Sequence, residues 1–127
     1  MTSPTILIVE DHALLRGSLR DWLATMFDPC HIIEADSNLE AIELVQKHQP
    51  EVIIIDLEMP QMNGFEATQH IKATWPDTQV MMLTVYENQT HCPDTAIAGA
   101  DAYVLKSELE SELVPTLQML LAEQGRS

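Results

Sequence analysis

Val52-Ile53-Ile54-Ile55-Asp56-Leu57-Glu58-Met59-Pro60 runs four apolar β-formers straight into an acid, with a proline four residues later. A short, uninterrupted apolar run of this kind predicts a strand buried on both faces, as in a parallel sheet. Asp56 then stands at the carboxyl end of a central strand. In open α/β sheets that is the edge where ligands and chemistry gather.

Reading outward, four more short apolar runs are consistent with the same sheet. Thr5-Ile6-Leu7-Ile8-Val9 ends in Glu10-Asp11, His31-Ile32-Ile33-Glu34-Ala35 is short, Val80-Met81-Met82-Leu83 ends in Thr84, and Ala102-Tyr103-Val104-Leu105 ends in Lys106. Between them the apolar period changes to three and four residues, the mark of amphipathic helices. Leu14, Leu15, Leu19, Trp22, Leu23 and Met26 predict a helix over about 12–27, stopped by Asp28-Pro29. Leu39, Ile42, Leu44 and Val45 predict a second, to about Lys47. Asp36 or Ser37 caps it, and Glu40 lies at the capping-box spacing from Ser37. Phe65, Thr68, Ile71 and Trp75 predict a third over about 64–74, after a turn-rich loop from Leu57 to Asn63.

Residues 86–95 are the least regular, and Pro93 forbids a continuous helix through them, so a loop and a short helix over about 93–98 are expected, with Gly99 as C-cap. Ser107, three residues before Glu110, is expected to cap a last helix carrying Leu109, Leu113, Leu117, Leu120 and Leu121, with Pro115 a point of kinking or fraying. Strands alternating with helices call for right-handed crossovers and a five-stranded doubly wound α/β domain. No repeat, linker or low-complexity stretch interrupts it.

Bulk properties narrow the function. A chain of 127 residues is one domain by length, and 46% apolar residues suffice for a core. Twenty acids against six Lys plus Arg give a net charge of −14, which repels phosphate backbones and argues against direct nucleic-acid binding. Cys30 and Cys92 fit neither a metal spacing nor a disulfide framework and read as small thiols in a reducing compartment. No apolar run approaches the roughly 20 residues needed to cross a bilayer. Met1-Thr2-Ser3-Pro4 has no basic region of the secretory type, so a cytoplasmic location is expected. The five histidines are scattered without helical i, i+4 pairing, which disfavours a transition-metal site.

In a parallel sheet all strands end on one edge, so Glu10, Asp11, Asp56, Thr84 and Lys106 share it. Three converging carboxylates repel one another unless a cation neutralises them, and a hard divalent ion such as Mg2+ suits oxygen ligands. Lys106 adds a fixed positive charge and Thr84 a hydroxyl. Together these groups make a pocket for the oxygens of a phosphoryl group, with Asp56 as the nucleophile that becomes an acyl phosphate. Each residue alone is ordinary: acids at strand ends are mostly turn residues or caps. The combination at four strand ends is not.

These residues resemble the receiver domain of two-component response regulators, the CheY-like fold, from about Thr5 to Leu121. The resemblance rests on Leu7-Ile8-Val9-Glu10-Asp11-His12, on Ile55-Asp56-Leu57-Glu58-Met59-Pro60-Gln61-Met62-Asn63-Gly64, on Leu83-Thr84, and on Gly99-Ala100-Asp101-Ala102-Tyr103-Val104-Leu105-Lys106. Asp11-His12 with Leu14-Leu15-Arg16 looks most like the NarL/FixJ class. The resemblance implies strand order 2-1-3-4-5 with five helices, and a signalling switch rather than a metabolic enzyme. Asp56 would accept a phosphoryl group from a sensor histidine kinase or phosphotransfer protein. Asp11 and Asp56 would bind Mg2+ directly, Glu10 through water, and the backbone carbonyl of Glu58 would complete the site. Lys106 would pair with the phosphoryl group, Thr84 would move its hydroxyl onto it, and Tyr103 would turn inward. The face of the fourth helix, fifth strand and fifth helix would then repack to control an output, with homodimerisation on activation.

Residues 1–127 form a single receiver domain in this reading. DNA would be reached only through a C-terminal helix-turn-helix beyond Ser127. Glu10 stands where the family more often has Asp. Glu58, two residues after Asp56, either repels the phosphoryl group or orients a water for its hydrolysis, and Glu58 and Tyr86 are the residues expected to tune its lifetime. Three rivals remain: a pseudo-receiver that binds a partner constitutively, a phosphatase-like enzyme for which no general acid or lid is evident, and a flavodoxin-like carrier, which lacks a phosphate loop after the first strand.

Overall fold

The computed structural model describes residues 4–27, 29–56, 64–84 and 100–124. Five strands, β1 (Thr5–Val9), β2 (His31–Ala35), β3 (Val52–Asp56), β4 (Gln79–Thr84) and β5 (Ala102–Leu105), form one sheet. All pairs are parallel, in the order β2-β1-β3-β4-β5. Helices α1 (Ala13–Met26), α2 (Asn38–His48), α3 (Gly64–Thr74) and α4 (Leu109–Gln124) flank it. The expected loop at 57–63, the irregular stretch 86–95 and the helix over 93–98 lie outside the described residues, as do Glu58, Tyr86 and Cys92.

Every residue of β3 is buried, because helices cover both sides of the sheet. Alternation sorts the strand residues into two cores. Leu7, Val9, Ile53, Ile55, Val80 and Met82 pack with Ala41 and Val45 of α2 and Ala67 and Ile71 of α3. Ile6, Ile8, Val52, Ile54, Met81, Leu83 and Val104 pack with Leu19 and Leu23 of α1 and Leu113, Leu117 and Leu120 of α4. Each fully buried aliphatic side chain contributes about 1.5–3 kcal/mol relative to exposure, so these two layers fix the sheet's register.

Local chemistry sets the helix ends. At α2 the Ser37 Oγ accepts from the Glu40 N–H at 3.2 Å, while the Glu40 carboxylate accepts from the Asp36 N–H at 2.9 Å. This is the expected capping exchange, shifted by one residue on the return bond. At the other end Gln49 adopts the left-handed conformation (φ 48°, ψ 61°) and its N–H donates to Val45. His12 caps α1, its Nδ1 accepting from the Leu15 N–H at 3.2 Å.

Three expectations need correction. Ser107 does not cap the last helix. A 3-10 turn over Lys106–Glu108 precedes α4, and the extended residue at its start is Leu105 (φ −72°, ψ 137°). A capping side chain needs that extended backbone, and Ser107 lies inside the turn. The fraying expected before Pro115 is not seen, since α4 runs from Leu109 to Gln124 with Pro115 inside it. Leu14 and Leu39 do not join the apolar faces and are 80% and 77% exposed. At 3.6 residues per turn Leu14 points roughly 140° away from Leu19, and Leu39 roughly 160° away from Ala41.

Candidate functional site

Register brings the strand-end groups together. Val9 pairs with Ile55, so Glu10 follows on beside Asp56. Asp56 pairs with Leu83, and Leu83 with Val104, which puts Thr84 one residue and Lys106 two residues further along the same edge. A lysine arm is long enough to reach back over that distance. The Lys106 Nζ stands 2.8 Å from Asp56 Oδ1 and 2.9 Å from Oδ2, so one ammonium is held against both carboxylate oxygens. The Asp56 side chain is 4% exposed and that of Lys106 23%. The carboxylate is thus shielded, while its counter-charge reaches the solvent.

Glu10, Asp11 and Asp56 each offer a carboxylate oxygen, and these lie within 4.8 Å of one another. Glu10 is buried, Asp11 exposed. One Glu10 oxygen, Oε2, accepts from the His12 N–H at 3.3 Å. The other, Oε1, is buried with no hydrogen-bond partner among the described residues. Burial first, and the adjacent Asp56 next, push the Glu10 carboxyl from 4.5 up to about 8; the His12 N–H and the Lys106 charge pull it the other way. Three clustered carboxylates, one of them with a buried oxygen that no hydrogen bond satisfies among the described residues, are a hard-oxygen donor set and fit a divalent cation of the Mg2+ type.

Thr84 is buried at the end of β4. Its β5 partner is Leu105, and Tyr103 pairs with Met82 two residues before. Thr84 and Tyr103 therefore share one face of the sheet. Tyr103 is half-buried against the core beneath α2 and α3. Of the expected site residues, the described structure brings Glu10, Asp11, Asp56 and Lys106 into one cluster and places Thr84 beside it on the same edge.

Other residues support this edge, and pattern reading assigned them no role. Arg16 of α1 donates from Nη1 to the Glu10 carbonyl oxygen at 2.7 Å and from Nε to Glu34 Oε1 at 3.2 Å. Arg20 reaches Glu34 Oε2 at 3.0 Å. At the opposite edge Asp101 Oδ2 accepts from the Val80 N–H at 2.8 Å and from Lys72 Nζ at 3.0 Å, locking the start of β5 to β4. A charged residue inside a β-run, as Glu34 is, was the available signal; nothing in the sequence named its partner.

Residues 6–118 match the family described as the response regulator receiver domain. The transcriptional regulatory protein YhcZ of Bacillus subtilis (strain 168) is 38% identical over 114 residues, 90% of this chain and 53% of that protein. The transcriptional regulatory protein DegU of Brevibacillus brevis is 30% identical over 120 residues, 94% of this chain and 50% of that protein. The chain spans about half the length of the curated relatives it matches. A solved two-component response regulator of the LuxR family from Aurantimonas sp. SI85-9A1 superposes with a TM-score of 0.84 at 28% identity, covering 96% of this chain and 87% of that one. The LuxR-family relatives agree with the NarL/FixJ-type resemblance of the sequence. Among the described residues no helix is long and apolar enough to cross a membrane. From the sheet order, the acid–lysine edge and these matches together, the chain belongs to the response regulator receiver domain family.

Proposed function

We propose that this domain is a phosphorylation-dependent switch with Asp56 as the phosphoryl acceptor. The observation that carries the reading is the shielded Asp56 carboxylate, gripped through both oxygens by Lys106 and flanked by Glu10 and Asp11. A carboxylate so placed is a nucleophile whose product charge already has a counter-ion. The donor is the phosphohistidine of a sensor kinase or phosphotransfer protein. An Asp56 oxygen bonds to phosphorus as the phosphorus–nitrogen bond breaks, and the electron pair leaves on the donor imidazole. Lys106 then exchanges a carboxylate oxygen for a phosphoryl oxygen.

Asp11 and Asp56 would hold Mg2+ directly and Glu10 through water; the fourth expected ligand, the Glu58 carbonyl, lies outside the described residues. The ion supplies positive charge to the phosphoryl oxygens. Thr84 donates its hydroxyl to the modified group, and Tyr103, on the same face, follows it inward. One phosphoryl group thereby biases a two-state equilibrium through contacts made in only one state. The output is transcription, by way of a DNA-binding segment outside this chain and a homodimer formed on activation, in the cytoplasm.

The test is a resonance titration with beryllofluoride and Mg2+, which mimics the acyl phosphate. Thr84 and Tyr103 should shift in the wild-type chain and not in Asp56→Ala. A mutant that still responds refutes the assignment of Asp56. A wild-type chain that ignores Mg2+ at millimolar levels would instead favour a pseudo-receiver that binds its partner constitutively.

A further inference from the structure

The Glu10–Asp11 segment carries both acids of the first strand end, and it is held from several directions. The Glu10 N–H donates to the Ala35 carbonyl at 3.0 Å, extending the β1–β2 ladder by one rung. The Glu10 carbonyl accepts from Arg16 Nη1 at 2.7 Å. Glu10 Oε2 accepts from the His12 N–H. The backbone of Arg16 itself is tied down, its N–H donating to the His12 carbonyl at 2.9 Å. Its guanidinium is aimed by Glu34, which Arg20 holds from the other side. The Arg16 and Glu34 side chains are only 21% and 28% exposed.

We propose that Arg16 is a positioning residue for the divalent cation: its guanidinium fixes the plane of the Glu10–Asp11 peptide and so aims both carboxylates at the metal. The inference rests on the metal reading above. Rotation of a peptide plane moves the side chains on either side of it, and the carbonyl bond to Arg16 opposes that rotation from the helix side. The Arg fork is needed because two acceptors on different elements, the Glu10 carbonyl and the Glu34 carboxylate, must be met at once. A lysine ammonium has the same charge but lacks the planar fork. Outer partners of metal ligands commonly matter by about 10- to 100-fold in metal affinity.

Charge alone makes a different prediction. Arg16 is a cation bonded to the Glu10 carbonyl at the acid edge, so on electrostatic grounds Arg16→Met should tighten Mg2+ binding, and Arg16→Lys should leave it unchanged. Positioning predicts that Met weakens Mg2+ binding about tenfold and Lys by several-fold.

The experiment is a titration of wild-type, R16M and R16K chains with Mg2+ alone, followed by amide resonances of the site. Circular dichroism confirms that each variant is folded. The Glu10 carbonyl carbon resonance is recorded before any metal is added. The expected result is weaker binding in both variants, R16K between wild type and R16M, with the Glu10 carbonyl shifted in both metal-free variants. Equal or tighter binding by folded R16K, beside a wild-type chain that binds, overturns the positioning role alone. A wild-type chain that does not bind Mg2+ overturns the metal reading and this inference with it. Should R16M fail to fold, R16K decides the matter by itself, since it keeps the charge.

Discussion

Replacing Lys106 by Met tests how the acid edge is held together before any phosphoryl group arrives. The substitution removes an ammonium that sits 2.8 and 2.9 Å from the two oxygens of Asp56. It leaves a carboxylate that is 4% exposed facing Glu10 without its Lys106 counter-charge. Breaking a fully buried pair by removing one partner costs about 3–5 kcal/mol. A solvent-exposed pair is worth about 0–1 kcal/mol. Lys106 is 23% exposed, and a Met side chain still covers the apolar surface that the lysine stem covers, so the expected loss is about 1–3 kcal/mol at pH 8.

The pH dependence gives the sign. Lys106 is one of the influences holding the Glu10 carboxyl down, so its removal lets Glu10 keep its proton to higher pH. A protonated Glu10 no longer repels Asp56, and the destabilisation should shrink as pH falls towards 5. Urea unfolding at pH 8 and at pH 5.5 measures both, with an unchanged m-value to show that the denatured reference is the same. Removing a cation from the site should also tighten Mg2+ binding, the reverse of the effect expected for Arg16→Met. A K106M chain as stable as wild type at pH 8, or one more destabilised at pH 5.5 than at pH 8, would refute the reasoning.

The remaining expectations are smaller. The Glu10 carboxyl titrates near 8 in the folded metal-free chain against 4.5 ordinarily, so the folded state binds the extra proton in that window. Stability should be full below about pH 4.5 for this group and fall as pH rises through about 8, a slope that Glu10→Gln or saturating Mg2+ flattens in urea titrations. Asp101→Ala removes the acceptor of both Val80 N–H and Lys72 Nζ and should cost about 2–3 kcal/mol in equilibrium unfolding without changing Mg2+ affinity. Gln49→Gly should raise the urea midpoint slightly, because φ 48° costs an L-residue roughly 1–2 kcal/mol while glycine's added freedom in the unfolded chain returns about half of that.

The sheet was legible because its strands are buried on both faces. Val52 to Ile55 has no polar residue to confuse the reading, and the turn residues around it mark where it must stop. The acid edge was legible for a topological reason: parallel strands end together, so Glu10, Asp56, Thr84 and Lys106 could be placed on one edge before any distance was known. What pattern could not supply was the partner of a polar group. Arg16 entered only as part of the NarL/FixJ-like motif, yet the fold turns it onto the Glu10 carbonyl and Glu34, contacts that depend on how α1 crosses β1 and β2. Asp101 failed in the same way, since its two donors come from β4 and α3. Ser107 misled because a capping spacing does not reveal that a 3-10 turn intervenes. Leu14 and Leu39 misled because a leucine raises the apolar count of a helix whichever way it points.

The role proposed for Asp56 is to carry the phosphoryl group. Its most direct test is incubation of the chain with Mg2+ and acetyl phosphate, followed by borohydride reduction and peptide mass spectrometry to locate the acyl phosphate. One modified residue, Asp56, is predicted, with no labelling when the metal is chelated and none in Asp56→Asn. Labelling at another residue, or an unmodified chain under conditions where Mg2+ is bound, would contradict it.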